Sequence, residues 1–274
     1  MPVVASFHLT RYPWPQALVT MAGLPLRQRV LAATPGLRFA RQLGTGAGPS
    51  MGLGADLRRW ATFVVWDDEA ALDAFLAGSP VAQRWRDRGE ETWSVRLTPL
   101  SSHGSWGGVD PLAGREANEE AGDDQGGPVV VLTRARVRMR HWPAFYRSVA
   151  GVETELRGQP DLLAVVGIGE APVGLQATFS LWRSRSGMEA FAYRRGPHEA
   201  VVRRTRAEGW FTEELFARFR PFGATGTWGG TEPLHLAVPP PGGRHISFWP
   251  RQEAVGDDSN ATSRRWRLDR GNGS

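Results

Sequence analysis

Six histidines have the widest chemical range of any residues in this chain: His8, His103, His141, His198, His235 and His245. A neutral imidazole can ligate a metal, and near neutral pH it can carry a proton. The rest of the usual catalytic vocabulary is thin. There is no cysteine, which removes thiolate zinc sites, iron–sulfur clusters, thiolate-ligated haem and cysteine nucleophiles. There is no lysine either, so all 33 cations are arginines, and Schiff-base chemistry and lysine-dependent phosphate loops are excluded. No HExxH zinc motif and no strand-linked GxGxxG is present.

Position singles out one histidine. In Pro197-His198-Glu199-Ala200-Val201-Val202-Arg203-Arg204-Thr205, residues 198, 201, 202 and 205 share a helical face. That spacing sets the imidazole on the apolar side and the arginines on the other. Two readings stand side by side: a core histidine satisfied by a backbone carbonyl, or a metal ligand in an apolar pocket. His8 alternates with Val4, Ser6 and Thr10 on the more polar side of a strand, which favours a cross-strand role. His103 and His141 fall near element ends, and His235 and His245 fall in the tail. Arg134, Arg194, Arg195 and Arg203 are candidates to grip carboxylates bidentately, against the alternative of a solvated helix face.

The elements that must position these side chains come as an internal repeat. Gly104-Ser105-Trp106-Gly107-Gly108-Val109-Asp110-Pro111-Leu112 is matched by Gly226-Thr227-Trp228-Gly229-Gly230-Thr231-Glu232-Pro233-Leu234. Leu9-Thr10-Arg11 pairs with Leu132-Thr133-Arg134, Ala61-Thr62-Phe63 with Ala177-Thr178-Phe179, and Trp93 with Trp210. Pro80 pairs with Pro197, so Val81 stands where the second copy has His198. Each copy reads β-α-β-β-α-α-β. Strands are expected at 3–10, 37–43 and 61–66, and again at 129–136, 162–168 and 177–182. Helices are expected over 15–33, broken by Pro25, and over 143–156. Asp67 or Asp68 and Ser184 or Ser186 are the expected caps of a short helix. The tryptophans that recur in both copies read mainly as anchors of duplicated cores.

The fold class expected is α+β: two tandem ferredoxin-like modules of the dimeric α+β barrel type, forming an intramolecular pseudo-dimer. The first copy is 1–112, and residues 113–127 (AGREANEEAGDDQGG) are an acidic linker. The second copy, 128–234, holds the histidine candidate, and 235–274 is a largely disordered tail. With 41% hydrophobic and 22% charged residues the chain is globular rather than wholly disordered. A net charge of +5 fits weak attraction to an acidic partner or an anionic membrane, and no nucleic-acid-reading motif accompanies it. No stretch reads as a membrane span, and the first residues lack the basic-then-apolar pattern of a secretory signal. The expectation is a cytoplasmic protein, with peripheral membrane contact as an option.

Taken together in their order, several segments of the second copy resemble the spheroidene monooxygenase family of carotenoid-oxidising haem enzymes. They are Leu132-Thr133-Arg134, Gly167-Ile168-Gly169-Glu170-Ala171-Pro172 and Gln176-Ala177-Thr178-Phe179-Ser180-Leu181-Trp182. Ala190-Phe191, Gly196-Pro197-His198 and the run from Gly209 to Phe219 continue them. The resemblance spans roughly residues 3–234. It implies a haem b monooxygenase that takes O2 and electrons from a ferredoxin-type donor and oxidises a C–H bond of a hydrophobic, carotenoid-like substrate.

Within that resemblance His198 becomes the candidate axial ligand of the iron, with Arg134 and Arg194 as candidates for holding the haem. Gln176 and Glu170 are the candidate catalytic side chains of the pocket wall. Two other functions are compatible with the residues. One is a haem-dependent lyase of the aldoxime dehydratase kind, which needs no external electrons. The other is a non-catalytic binder of haem or another hydrophobic ligand.

Overall fold

The computed structural model describes residues 2–48, 54–114, 127–170, 175–193 and 197–237, with backbone alone at 149, 150, 197, 198, 236 and 237. Most of the acidic linker and the tail from 238 onward lie outside the described residues. The rest is mixed helix and strand. The first half runs β1 (Val4–Arg11), α1 (Trp14–Ala22), α2 (Leu24–Ala32), β2 (Leu37–Gly46), β3 (Ala55–Trp66), α3 (Glu69–Gly78), α4 (Pro80–Arg88) and β4 (Glu91–Gly104). The second runs β5 (Val129–Val137), α5 (Trp142–Arg157), β6 (Leu162–Gly169), β7 (Leu175–Trp182), α6 (Arg185–Tyr193), α7 (Pro197–Ala207) and β8 (Phe211–Gly226). All eight strands are antiparallel and close into one barrel in the order β1-β3-β2-β6-β7-β5-β8-β4.

Local chemistry explains the element ends. The expected helix over 15–33 is two helices, divided at Gly23, with Pro25 in the first turn of α2 where its missing N–H costs nothing. Asp68 caps α3 by accepting from the Ala71 N–H at 2.9 Å, and Ser184 accepts from the Gly187 N–H at 3.1 Å.

Strand register corrects the alignment of the two halves. Trp66 lies opposite Val4, and its counterpart Trp182 lies opposite Val129; Ala61 lies opposite Leu9, and Ala177 opposite Arg134. The two Leu-Thr-Arg triplets are therefore two residues out of step. His8 corresponds to Thr133, and Arg134 occupies the place of Leu9, facing into the barrel. Trp93 and Trp210 are not counterparts either. Trp93 is in β4 opposite Gly226, where symmetry puts Leu215 opposite Gly104, whereas Trp210 precedes β8 and stacks on His141.

The barrel interior is solid. Phe7 of the first half and Phe179 of the second stack with centroids 3.8 Å apart, and Phe63, Trp93, Trp106 and Phe219 fill the space around them. An eight-stranded barrel has an interior just wide enough for side chains or one small ligand. Among the described residues, side chains take it.

The repeated Gly-x-Trp-Gly-Gly segments are reciprocal clasps. Glu213 of the second half accepts from the Gly108 N–H (2.7 Å) and the Ser105 hydroxyl (3.1 Å) of the first. Glu91 of the first half accepts from the Gly230 N–H (2.7 Å) and the Thr227 hydroxyl (3.1 Å) of the second. Gly104 and Gly226 have φ of 96° and 81°, and a Cβ on either would meet a backbone oxygen of the other half at about 2 Å. The motif is shared by both halves because each copy makes the same turn against its opposite number.

Candidate functional site

Outside the barrel, helices cover each half-sheet, and the two covers differ. In the first half the layer is filled. Val4, Leu31, Ala40, Val64, Trp66, Phe75, Val81 and Trp85 form one buried cluster there. His8 lies at its centre under α4, 2% exposed, stacked on Trp85 with centroids 4.4 Å apart. Its ring nitrogens meet the hydroxyls of Ser94 and Ser6, both at 2.9 Å, and Ser6 also accepts from the Trp66 indole. The cross-strand role expected for His8 is the one observed.

Burial, helped by the charge of Arg96, holds the His8 imidazole down at about 3, against an ordinary 6.5. The unfolded chain therefore takes up a proton below about 6.5 that the folded chain refuses until about 3. Stability falls as pH drops through that window, by about 1.4 kcal/mol per pH unit. Urea midpoints measured stepwise downward from neutral pH are expected to show this slope in wild type and a shallower one in His8→Gln. Equal slopes in both proteins would refute the assignment to His8.

In the second half the same layer is open. Thr133, at the His8 position, is exposed, and Val202 stands on α7 where α4 has Trp85. Phe216, which pairs with Thr133 across β5 and β8, is 39% exposed. The smaller cluster of Val129, Val131, Leu156, Val165, Trp182, Met188 and Phe191 closes only the far end of this face. Helices α1 and α2 press close on β3 and β2, whereas α5 runs beside α7 and meets its own sheet through Leu156 and Tyr146.

Gln176 faces this outer side and donates to the Tyr146 hydroxyl of α5 at 3.2 Å. Beyond the end of β5 a groove of about 540 Å³ is lined by Val137, Met139, Trp142 and Leu175, with Arg136, Arg138 and Thr212 at its polar parts. That volume is within the range of roughly 300–1,000 Å³ usual for small-molecule sites.

Arg134 and Glu170 are brought together, but at the barrel mouth rather than on the outer face. The Arg134 guanidinium, 2% exposed, is gripped by Glu213 and lies 3.2 Å from Glu170, whose other oxygen takes Arg41 at 2.9 Å. The same guanidinium lies over the Trp106 ring at 5.6 Å. Burial pushes the Glu213 carboxyl up, but the Gly108 N–H, the Arg134 charge and the Ser105 hydroxyl outweigh it and hold it below the usual carboxylate range. This network ties β2, β5, β6 and β8 across the seam between the halves. Arg134 and Gln176 thus lie on opposite faces of the same wall.

Of the remaining candidates, Arg194 lies outside the described residues, and at His198 only the backbone is described, in the first turn of α7. Its first-half counterpart Val81 is buried against the sheet. Thr133, Tyr146 and Phe216 were missed from sequence as site residues, and Val202 was read only as part of the apolar helix face of His198. The Pro80–Pro197 pairing already sets Val202 against Trp85, whereas the match of Thr133 with His8 comes only from strand register.

No family model matches the chain. It is 38% identical over 239 residues to a spheroidene monooxygenase of Rhodobacter capsulatus, covering 87% of this chain and 98% of that protein. It is also 38% identical over 196 residues to one of Rubrivivax gelatinosus, covering 72% and 73%. Among solved structures, an aldoxime dehydratase in complex with butyraldoxime shares the fold, with a TM-score of 0.53 at 10% identity over 80% of this chain and 79% of that one. A likeness of that kind speaks to architecture alone. Identity at this level over nearly the whole of a relative, with the barrel continuous along the same span, settles membership: the chain belongs to the spheroidene monooxygenase family.

Proposed function

We propose that this protein is a monooxygenase that places one oxygen atom of O2 on a C–H carbon of a carotenoid-like polyene, using haem b held on the outer face of the second half-sheet. The observation that carries the location is the contrast between the two helix-covered layers. One is plugged by the His8–Trp85 stack; the other has Thr133 and Val202 at the same two positions and is open. We read the halves as tandem ferredoxin-like modules of one duplicated unit, the first kept for structure and the second for the cofactor.

The residues present fit a flat, largely apolar macrocycle with carboxylate arms. The wall is apolar, as a macrocycle or polyene requires, and Arg138 at the groove is of the type that binds carboxylates, whereas Arg136 lies on the barrel side of β5, 3.8 Å from Glu213. His198 is the residue that would hold the iron in this reading, as the family resemblance implies; its counterpart Val81 sits on the side of α4 that is buried against the sheet. Bound haem would supply the activation of O2, with two electrons from a ferredoxin-type donor and two protons leaving the second oxygen atom as water. The chain's part is to exclude water, to hold one C–H bond in place, and to keep the Gln176–Tyr146 pair as a polar point on an otherwise apolar face. Arg134 and Glu170 act through the wall, by fixing β5 and β6.

The test is an absorption spectrum of protein expressed with haem precursor, for wild type and His198→Ala. A Soret band in wild type that is lost or shifted in the variant is expected. Turnover of a carotenoid by the wild type should then require both O2 and a reduced ferredoxin system. No haem uptake by the wild type would refute the cofactor assignment, and turnover without added electrons would point to a lyase.

A further inference from the structure

Helix α1 is built inside out. Its buried side is Ala17 and Thr20, while its large apolar side chains face outward. Trp14, Leu18, Val19 and Met21, with Leu26 of α2, are each between 46% and 66% exposed. An amphipathic helix in a globular protein normally turns its large apolar residues to the core. A contiguous apolar patch rather than scattered single residues marks a contact surface.

Charge says what kind of surface would cover it. From residue 1 to 55 there is no aspartate or glutamate at all, and there are five arginines: 11, 27, 29, 38 and 41. The chain as a whole carries 33 basic and 28 acidic residues, so this opening segment accounts for its entire net charge of +5. Helix α1 has no charged residue of its own, and Arg29 is exposed one turn beyond Leu26. Arg27 is buried on the uncharged Gln42 side chain and Thr20 carbonyl, while Arg11, Arg38 and Arg41 are engaged by Glu90, Asp67 and Glu170, so the surface cation of this face is Arg29.

We infer that the α1–α2 face docks on an anionic lipid bilayer, with Trp14, Leu18, Met21 and Leu26 entering the headgroup region and Arg29 meeting the lipid charge. Nine residues of helix span about 14 Å against about 30 Å of hydrocarbon, so α1 lies in the interface and does not cross. Apolar insertion together with basic charge is what holds a peripheral helix at such a surface. The inference stands on this patch alone and needs neither haem nor turnover.

Flotation of the full chain with vesicles tests it. Wild type is expected to float with phosphatidylglycerol–phosphatidylcholine vesicles, more weakly with phosphatidylcholine alone, and less as salt rises. Leu18→Glu should reduce the partition on the order of tenfold or more. Tyr193→Glu makes the same kind of change at an exposed aromatic of α6, on the opposite flank of the barrel, and should leave flotation unchanged. Circular dichroism confirms that each variant is folded. The inference is overturned if wild type does not float, if Leu18→Glu floats equally well, or if charge in the vesicle makes no difference. It is also overturned if wild type is a dimer that does not float and that Leu18→Glu dissociates, because the patch then meets a second copy of this chain.

Discussion

On the proposed haem site, Thr133→His combined with Val202→Trp is expected to lower haem uptake about tenfold or more while leaving the barrel folded. The pair copies into the second half the stack with which His8 and Trp85 plug the first. Both sites tolerate larger side chains because Thr133 is exposed and Val202 is only half-buried. Filling open space differs from overpacking a core, so the melting temperature should move by only a few degrees. Haem affinity, titrated by Soret absorbance, should fall by about tenfold or more, a loss equivalent to 1.4 kcal/mol or greater. Thr133→Val, which adds no bulk, should bind haem as wild type does. A double variant that still took up haem at wild-type affinity would remove the second-half layer as the cofactor's place, whatever His198→Ala had shown.

Glu213→Ala should be the most destabilising single change at the barrel mouth. Glu213 grips the nearly fully buried Arg134 and receives the Gly108 N–H and the Ser105 hydroxyl of the opposite half. Removing it leaves a buried guanidinium with Glu170 as its remaining carboxylate and frees the first-half clasp. Breaking a buried pair from one side costs about 3–5 kcal/mol, because the remaining charge keeps its desolvation penalty. Chemical denaturation of the apoprotein measures this directly. Arg134→Leu with Glu213→Gln should recover most of the loss, since leucine already stands at the equivalent position as Leu9 and glutamine still accepts from Gly108. A double variant as unstable as Glu213→Ala would mean that the mouth depends on the charge pair itself.

Much of this was readable from the residues. The Gly-x-Trp-Gly-Gly segments stood out as a repeat, and both make the same turn because positive-φ glycines and a buried tryptophan leave it few alternatives. The strands and helices followed from periodicity, and the division near Pro25 from the chemistry of proline. What escaped was the pairing of positions between halves. Leu-Thr-Arg occurs in both first strands by coincidence, two residues out of step, and side chains alternate across a strand. A slip of two keeps every residue on its proper face, so nothing in the hydrophobic pattern betrays it. The slip hid that Arg134 lies level with Leu9 rather than at the strand end with Arg11, and it hid the contrast between His8 and Thr133 that distinguishes the two layers. The Arg134–Glu213 network was illegible for a different reason. Its members come from β5 and β8 and meet only once the barrel has closed.

That closure has a consequence for how the protein is made. The face of the first half that carries Phe7, Phe63 and Trp93 packs against Phe179, Phe219 and Trp228 of the second, and β4 finds its outer neighbour in β8. On the ribosome β1 to β4 emerge long before β8, and during that interval a bare aromatic sheet with an unpaired edge waits for its lid. Pairings so distant in sequence form late and slowly, and exposed faces of this kind aggregate or capture the wrong partner. The most suitable wrong partner is the second half of a neighbouring nascent chain, which carries the same clasp. Joining the two halves in one polypeptide raises the local concentration of the correct lid, so covalent linkage here acts as a chaperone for the first half.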